Sequence, residues 1–451
     1  MKKKLENRKN NKSIIVSTLI FVITFIAMAG YLIYFNLTQA ESIINNSYNK
    51  RQGVLSRRTI RGSILSDDKT KLAVTNVDDD GNETRYYPYS GLFSHAIGYL
   101  NNGGYGLESL YGYYMLHSNQ NFFEQIGNDL SGNRNTGDNV VTTLNVGLQK
   151  ACYDALGSNR GAVIVMEPST GKILAMVSKP DFDPNTLAAN WSQITGEGSD
   201  SVLVNRATQG LYPPGSTFKL ITMLEYLREH KNDYGQYHYI CDGTYELGNN
   251  TINCVRTTAH GDVDLFSSLA VSCNCSFINI GLSLDLDRYK KTAEKMLFNK
   301  ELPTNLEYNK SRFVLNGESS EWDIAQTSFG QGKTVITPFH LALITCTIAN
   351  NGTLMEPYLV SSVESTNGMT VKKFKEEKYD TLITEKEASL LKKGMEQVVK
   401  DSFSWLFGGV EYTLAAKSGS AQYGTEGYEH SLYASFSPAD NPEIAVVAGG
   451  W

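Results

Sequence analysis

The chain begins polar and basic, then turns apolar for one unbroken run: from Ser13 to Phe35 there is no charged residue. A helix needs roughly 20 apolar residues to cross a bilayer, so this run predicts a membrane-spanning helix. A cleaved leader would have a shorter apolar core, about 7–15 residues, followed by small residues at the cleavage point. Asn36-Leu37-Thr38-Gln39-Ala40 is a weak version of such a point, and the pattern favours a retained signal-anchor. Lys2, Lys3, Lys4, Arg8, Lys9 and Lys12 precede the run against a single Glu6. That asymmetry predicts a cytoplasmic tail over residues 1–12 and an exported body. A second basic cluster, Lys50, Arg51, Arg57, Arg58 and Arg61, starts at the outer edge of the window in which such charges count. It reads as a solvated face or a contact with lipid headgroups.

Beyond the anchor the apolar runs become short. Residues 36–145 are rich in Asn, Gly, Tyr and Ser, with strand-like pieces such as Thr59-Ile60-Arg61-Gly62-Ser63-Ile64-Leu65 between turn signals. They predict a small, mainly β, non-catalytic module between membrane and main domain. The patch Tyr111-Gly112-Tyr113-Tyr114 within it reads as core or partner surface. Asp138 to Asn145 resembles a strand ending in a helix cap, and the helix would run from Val146 to Leu156.

The larger domain, 146–451, starts at that helix. Ala162 to Glu167 is a buried-strand run, Pro168-Ser169-Thr170-Gly171 a turn, and Lys172 to Val177 the return, which together predict an antiparallel hairpin. The middle is mostly helical; Thr337-Pro338 supplies an N-cap with a first-turn proline, and Asn350-Asn351-Gly352 stops that helix. Three strand-like runs close the chain: Tyr412 to Ala416, Ser431 to Ser437 and Glu443 to Ala448. The expected fold is α+β: one sheet assembled from both ends of the domain and covered by helices. At 451 residues there is ample length for such a core beside a second module. The net charge of −6 offers nothing to nucleic acid.

Most of the six cysteines would lie outside the cytoplasm. Cys241 and Cys254 flank the turn-like Asp242-Gly243-Thr244-Tyr245 and could cross a hairpin as a disulfide. Cys273 and Cys275 are too close to pair comfortably. Four cysteines this close could suggest zinc, yet there is no paired C-x-x-C spacing and the histidines are scattered, so the expectation is no metal. Cys152 and Cys346 read as buried apolar residues of helices.

The chemistry concentrates at Tyr212-Pro213-Pro214-Gly215-Ser216-Thr217-Phe218-Lys219. Positions three apart share a helix face, so the Ser216 hydroxyl and the Lys219 amine can meet. A serine hydroxyl is a poor nucleophile until a base takes its proton, and here the base would come from the same turn. Ser216 by itself would pass for a helix N-cap. Two further signals change that: Ser272-Cys273-Asn274, and Lys417-Ser418-Gly419 on a strand entering Ser420. Each is weak alone. In this order, separated by roughly 50 and 145 residues, they form the pattern of penicillin-binding proteins and serine β-lactamases.

On these motifs the chain resembles the class B penicillin-binding proteins, the membrane-anchored, monofunctional D,D-transpeptidases of bacterial cell-wall synthesis. Arg61-Gly62-Ser63-Ile64 is similar to the family's R-G-x-I element and Gly106-Leu107-Glu108 to its G-x-E element. Asn205-Arg206-Ala207 and Gly330-Gln331-Gly332 also match. The third motif is K-S-G rather than K-T-G, which keeps the hydroxyl. The chain ends at Trp451, after its last strand, where the family usually carries one more helix.

The resemblance implies a peptidoglycan stem peptide ending in D-Ala-D-Ala as substrate, with β-lactams as covalent inhibitors and no cofactor. Ser216 would be the nucleophile and Lys219 its base, kept neutral by burial and by Lys417 as a second cation. Ser272 and Asn274 would hydrogen-bond Lys219, and Ser272 would also relay a proton. Asn274 would donate to the substrate's amide carbonyl, and Lys417 and Ser418 would hold its terminal carboxylate. The backbone N–H groups of Ser216 and Ser420 would form an oxyanion hole, and Gly419 would let the strand approach the ligand. A polytopic membrane glycan polymerase is the implied partner. A hydrolase (carboxypeptidase or β-lactamase) and a non-catalytic penicillin sensor or scaffold are the competing readings. No segment convincingly supplies a β-lactamase's deacylating glutamate. His260, beside Gly261, reads as a loop histidine satisfied by backbone, because the lysine already fills the base role.

Overall fold

The computed structural model describes residues 2–38, 56, 58–423 and 428–450. Lys50, Arg51 and Arg57 of the second basic cluster lie outside the described residues. The first element is a helix, Lys2–Thr38, and within it Ile14–Phe35 is long and apolar enough to span a membrane, with none of it buried against the rest of the chain.

The large domain is built on a five-stranded antiparallel sheet. In spatial order its strands are Ala415–Tyr423, Tyr428–Ser437, Ile444–Gly450, Gly161–Met166 and Ile173–Lys179. Chain ends far apart in sequence are therefore neighbours, with Val447 opposite Ile164, and the expected assembly from both ends is borne out. The strand Gly161–Met166 is buried along its whole length, as a strand covered on both faces must be. Ala162, Ile164 and Met166 face the main core, whereas Val163 and Val165 pack with Cys152 and Leu156 of the helix Val146–Leu156 on the other face. Asn145 caps that helix, its side chain accepting from the Leu148 N–H. The wholly buried helix Pro338–Ala349 lies against the main-core face, capped by Thr337 with proline at its start. The first closing strand begins at Ala415 and not at Tyr412, which is exposed. Just ahead of it, the Thr413 carbonyl is taken by the Ser437 hydroxyl and the Ala439 N–H.

The membrane-proximal part has its own sheet, accompanied by short helices such as Phe122–Ser131. That sheet is not built from residues before 145 alone. Its order is Thr370–Lys373, Val360–Glu364, Asn139–Thr142, Ile64–Leu65, Lys71–Val77 and Glu83–Tyr86, so two strands come from far down the chain. Arg61, expected on a solvated face, is instead buried and paired. Its Nε lies 2.9 Å from Glu108 Oε2, while Arg85 Nε holds Glu108 Oε1 at 2.7 Å. A buried carboxylate needs such partners. Burial alone would raise its proton affinity; the two guanidinium groups outweigh that and hold Glu108 below the usual range.

Candidate active site

Ser216 sits in a single tight turn, Gly215–Phe218, that runs directly into the helix Lys219–Glu229. In a 3₁₀ turn residues three apart eclipse each other, and the Lys219 Nζ lies 3.0 Å from Ser216 Oγ. The turn rests on an aromatic bed: Phe218 packs against Phe298 and Phe313 at centroid distances of 5.5 and 6.0 Å. It is braced from a second side by the Gly330-Gln331-Gly332 segment, where the Gly215 N–H donates to the Gly330 carbonyl at 2.9 Å. A Cβ at Gly330, whose φ is +92°, would stand 1.7 Å from the Gly215 carbonyl oxygen.

The other two motifs converge on the same amine. Lys219 Nζ donates to the Ser272 carbonyl at 2.8 Å, to Ser272 Oγ at 3.2 Å and to Asn274 Oδ1 at 2.8 Å. Lys417 Nζ approaches Ser272 Oγ from the other side at 3.0 Å and donates to the Ser418 carbonyl at 2.8 Å. The Ser272 hydroxyl thus stands between two lysines, at a residue whose own φ is +55°, a region that non-glycine residues occupy at a cost of about 1–3 kcal/mol. Spacing in the sequence could not show that bridge.

Both ammonium groups are buried, and burial disfavours charge. It pulls the Lys219 amine down to about 7, while the nearby sulfurs of Cys273, Cys254 and Cys275 pull the other way. Lys417 was expected to depress Lys219. The effect runs in the other direction: Lys417 lies well below its usual range, through burial first and the Lys219 charge second. Asn274 holds Lys219 as expected, through its Oδ1. Its Nδ2 donates to the Asn253 carbonyl at 3.0 Å, leaving one amide proton for a ligand.

Ser418, Gly419 and Ser420 lie on the strand at the sheet's edge, which packs against the Gly215–Phe218 turn. A Cβ on Gly419 would meet the Pro214 carbonyl oxygen at 2.7 Å and the Ser216 nitrogen at 3.0 Å. The glycine therefore serves the close approach of strand to turn. Ser216, Ser272 and Ser418 are each half-buried, within reach of a ligand from solvent. His260 lies apart from this group: its Nδ1 is 3.5 Å from Cys241 Sγ, so a thiol, and not backbone, is its neighbour.

Residues 161–449 match the model of the penicillin-binding protein transpeptidase domain. The chain belongs to the penicillin-binding protein transpeptidase family. Residues 61–140 match a second model, the penicillin-binding protein A dimerisation domain, which places the chain among the class B penicillin-binding proteins and bears out its reading as a D,D-transpeptidase. Among curated relatives, the peptidoglycan D,D-transpeptidase PbpA of Mycolicibacterium smegmatis is 31% identical over 393 residues, 81% of this chain and 77% of that protein. The peptidoglycan D,D-transpeptidase MrdA of Acinetobacter baumannii is 27% identical over 80% of this chain and 62% of its own length. Among solved structures, the penicillin G acyl-enzyme of penicillin-binding protein A from M. tuberculosis superposes with a TM-score of 0.78. It has 28% identity and covers 87% of this chain and 93% of that one.

Proposed function

We propose that this penicillin-binding protein cross-links peptidoglycan through an acyl-enzyme on Ser216. The observation that carries the reading is the 3.0 Å contact between Ser216 Oγ and a buried Lys219 amine whose proton affinity is lowered to about 7. Neutral Lys219 takes the Ser216 proton as Oγ attacks the carbonyl of the penultimate D-Ala. The C–N bond to the terminal D-Ala breaks, and the departing amine takes a proton through Ser272, which touches both lysines. A second stem's amine then attacks the ester, forms the new amide and returns the hydroxyl to Ser216. Asn274, Lys417 and Ser418 hold the donor strand, and the Ser216 and Ser420 N–H groups face the oxyanion, where one donor contributes about 3–4 kcal/mol in a comparable hydrolase.

The basic tail and the apolar helix support an orientation with residues 1–12 in the cytoplasm and the domains outside. The anchor and the membrane-proximal sheet offer a surface to a polytopic glycan polymerase. Mass spectrometry of the chain after benzylpenicillin tests the chemistry: one adduct on the peptide carrying Ser216, absent from Ser216→Ala, is expected. An adduct elsewhere, or none on a folded chain, would overturn the assignment.

A further inference from the structure

Four soft donors meet behind the second motif. Cys241 ends the strand His238–Cys241, Cys254 follows the strand Asn250–Asn253, His260 precedes the strand Gly261–Asp264, and Cys273 caps the helix Asn274–Ser283. The sequence spacing argued against a metal because no C-x-x-C pair occurs, but the fold supplies one donor from each of four elements. The three sulfurs and a ring nitrogen of His260 all lie within 4.8 Å of one another. Cys254 Sγ is 3.8 Å from both Cys241 Sγ and Cys273 Sγ, and Cys241 Sγ is 3.5 Å from His260 Nδ1.

Those three separations match edges of a tetrahedral site. Metal–sulfur bonds of about 2.3 Å and a metal–nitrogen bond of about 2.0–2.1 Å put sulfurs about 3.8 Å apart and sulfur and nitrogen about 3.5 Å apart. The three cysteines are fully buried and His260 is half-buried, which closes the site as a structural metal requires. A second interaction favours a thiolate. The Cys273 sulfur accepts from the Ser276 N–H at 3.3 Å, at the first turn of a ten-residue helix, where the dipole and free N–H groups favour negative charge. Cys275, 3.4 Å behind Cys254 Sγ, is outside the four.

We propose that Cys241, Cys254, His260 and Cys273 bind one Zn²⁺ and that this ion positions the Ser272-Cys273-Asn274 motif. Binding releases the proton of each thiol to solvent and leaves three thiolates and a neutral imidazole around the ion. Soft thiolates with imidazole in tetrahedral array suit zinc over magnesium or calcium. The positioning follows from the covalent chain. Cys273 is the residue between Ser272 and Asn274, so tethering its sulfur fixes the backbone on either side. That holds Ser272 in its left-handed conformation, with its hydroxyl between Lys219 and Lys417. The ion site itself does not depend on the reaction; the positioning role rests on the transpeptidase reading.

The test uses the full chain in detergent, purified under reducing conditions without chelator. Elemental analysis is expected to find one zinc per chain. After chelation, Co²⁺ added alone should give thiolate charge-transfer bands and intense tetrahedral bands, both lost in His260→Ala. Cys241→Ser and His260→Ala should lose zinc while Cys275→Ser keeps it, with circular dichroism reporting which variants fold. Zinc at background in the wild type, a Cys241–Cys254 or Cys254–Cys275 disulfide under the same conditions, or a Co²⁺ spectrum without thiolate bands would overturn the site. Fluorescent-penicillin labelling should slow about tenfold on chelation, the scale at which an outer-shell partner acts, and recover with Zn²⁺. Unchanged labelling of the zinc-free chain would overturn the positioning role. Failure of the zinc-loaded wild type to label would instead count against the transpeptidase reading.

Discussion

At the scale of single residues, the site turns on the protonation of one amine. Lys219 accepts a proton only when neutral, and its value of about 7 means that the neutral fraction grows as pH rises through neutrality. Two pH units lower, about one amine in a hundred is neutral. Acylation by penicillin should therefore be about 100-fold slower there than on the plateau above pH 8, and stopped-flow labelling across pH checks this; a flat profile would refute Lys219 as base. Lys219→Arg keeps the positive charge and cannot accept the proton. It should reduce acylation by about 10²–10⁴-fold, the usual contribution of a general base. Ser272→Ala removes the oxygen shared by two lysines and should slow acylation while Ser216 remains the labelled residue, as peptide mapping would show.

At the scale of elements, the turn that carries Ser216 is held by backbone packed too closely for any side chain. Gly330 and Gly419 stand against it from two directions. Gly330→Ala puts a Cβ 1.7 Å from the Gly215 carbonyl oxygen at a φ of +92°. Strain at positive φ and overpacking each cost about 1–3 kcal/mol. The variant should therefore lose about 2–5 kcal/mol in denaturant unfolding and label poorly with penicillin. An alanine there that matched wild type in both measurements would show that the turn is not clamped as described. The Gly-Gln-Gly triplet was legible in the sequence as a family match. What it contacts was not, because Gly330 and Gly215 are brought together only by folding.

At the scale of the whole molecule, the two halves are joined through a common sheet. Val140 pairs with Ile64 on one side and Val363 on the other, so residues 36–145 leave a sheet edge bare when separated from the rest. Exposed edges of this kind invite aggregation. The segment expressed alone should be readily proteolysed, whereas the same region in the intact chain should resist. Glu108 is the second tie: Glu108→Ala strands two buried guanidinium groups and should cost about 3–5 kcal/mol, read by the same unfolding assay.

The local features were determined by sequence, because each rests on neighbours in the chain. The apolar span follows from an uninterrupted run, the helix caps at Asn145 and Thr337 from short-range hydrogen bonds, and the Ser216–Lys219 pair from three-residue spacing. The ordered motifs named the reaction. Tertiary structure alone decided what depends on distant residues: Ser272 between two lysines, Lys417 as the amine depressed by its partner, Arg61 buried on Glu108, a sheet with strands from both halves, and four soft donors drawn from four elements. Their sequence separations carry no periodic or propensity signal. Proximity there is set by how a hydrophobic core closes, and a linear pattern does not record it.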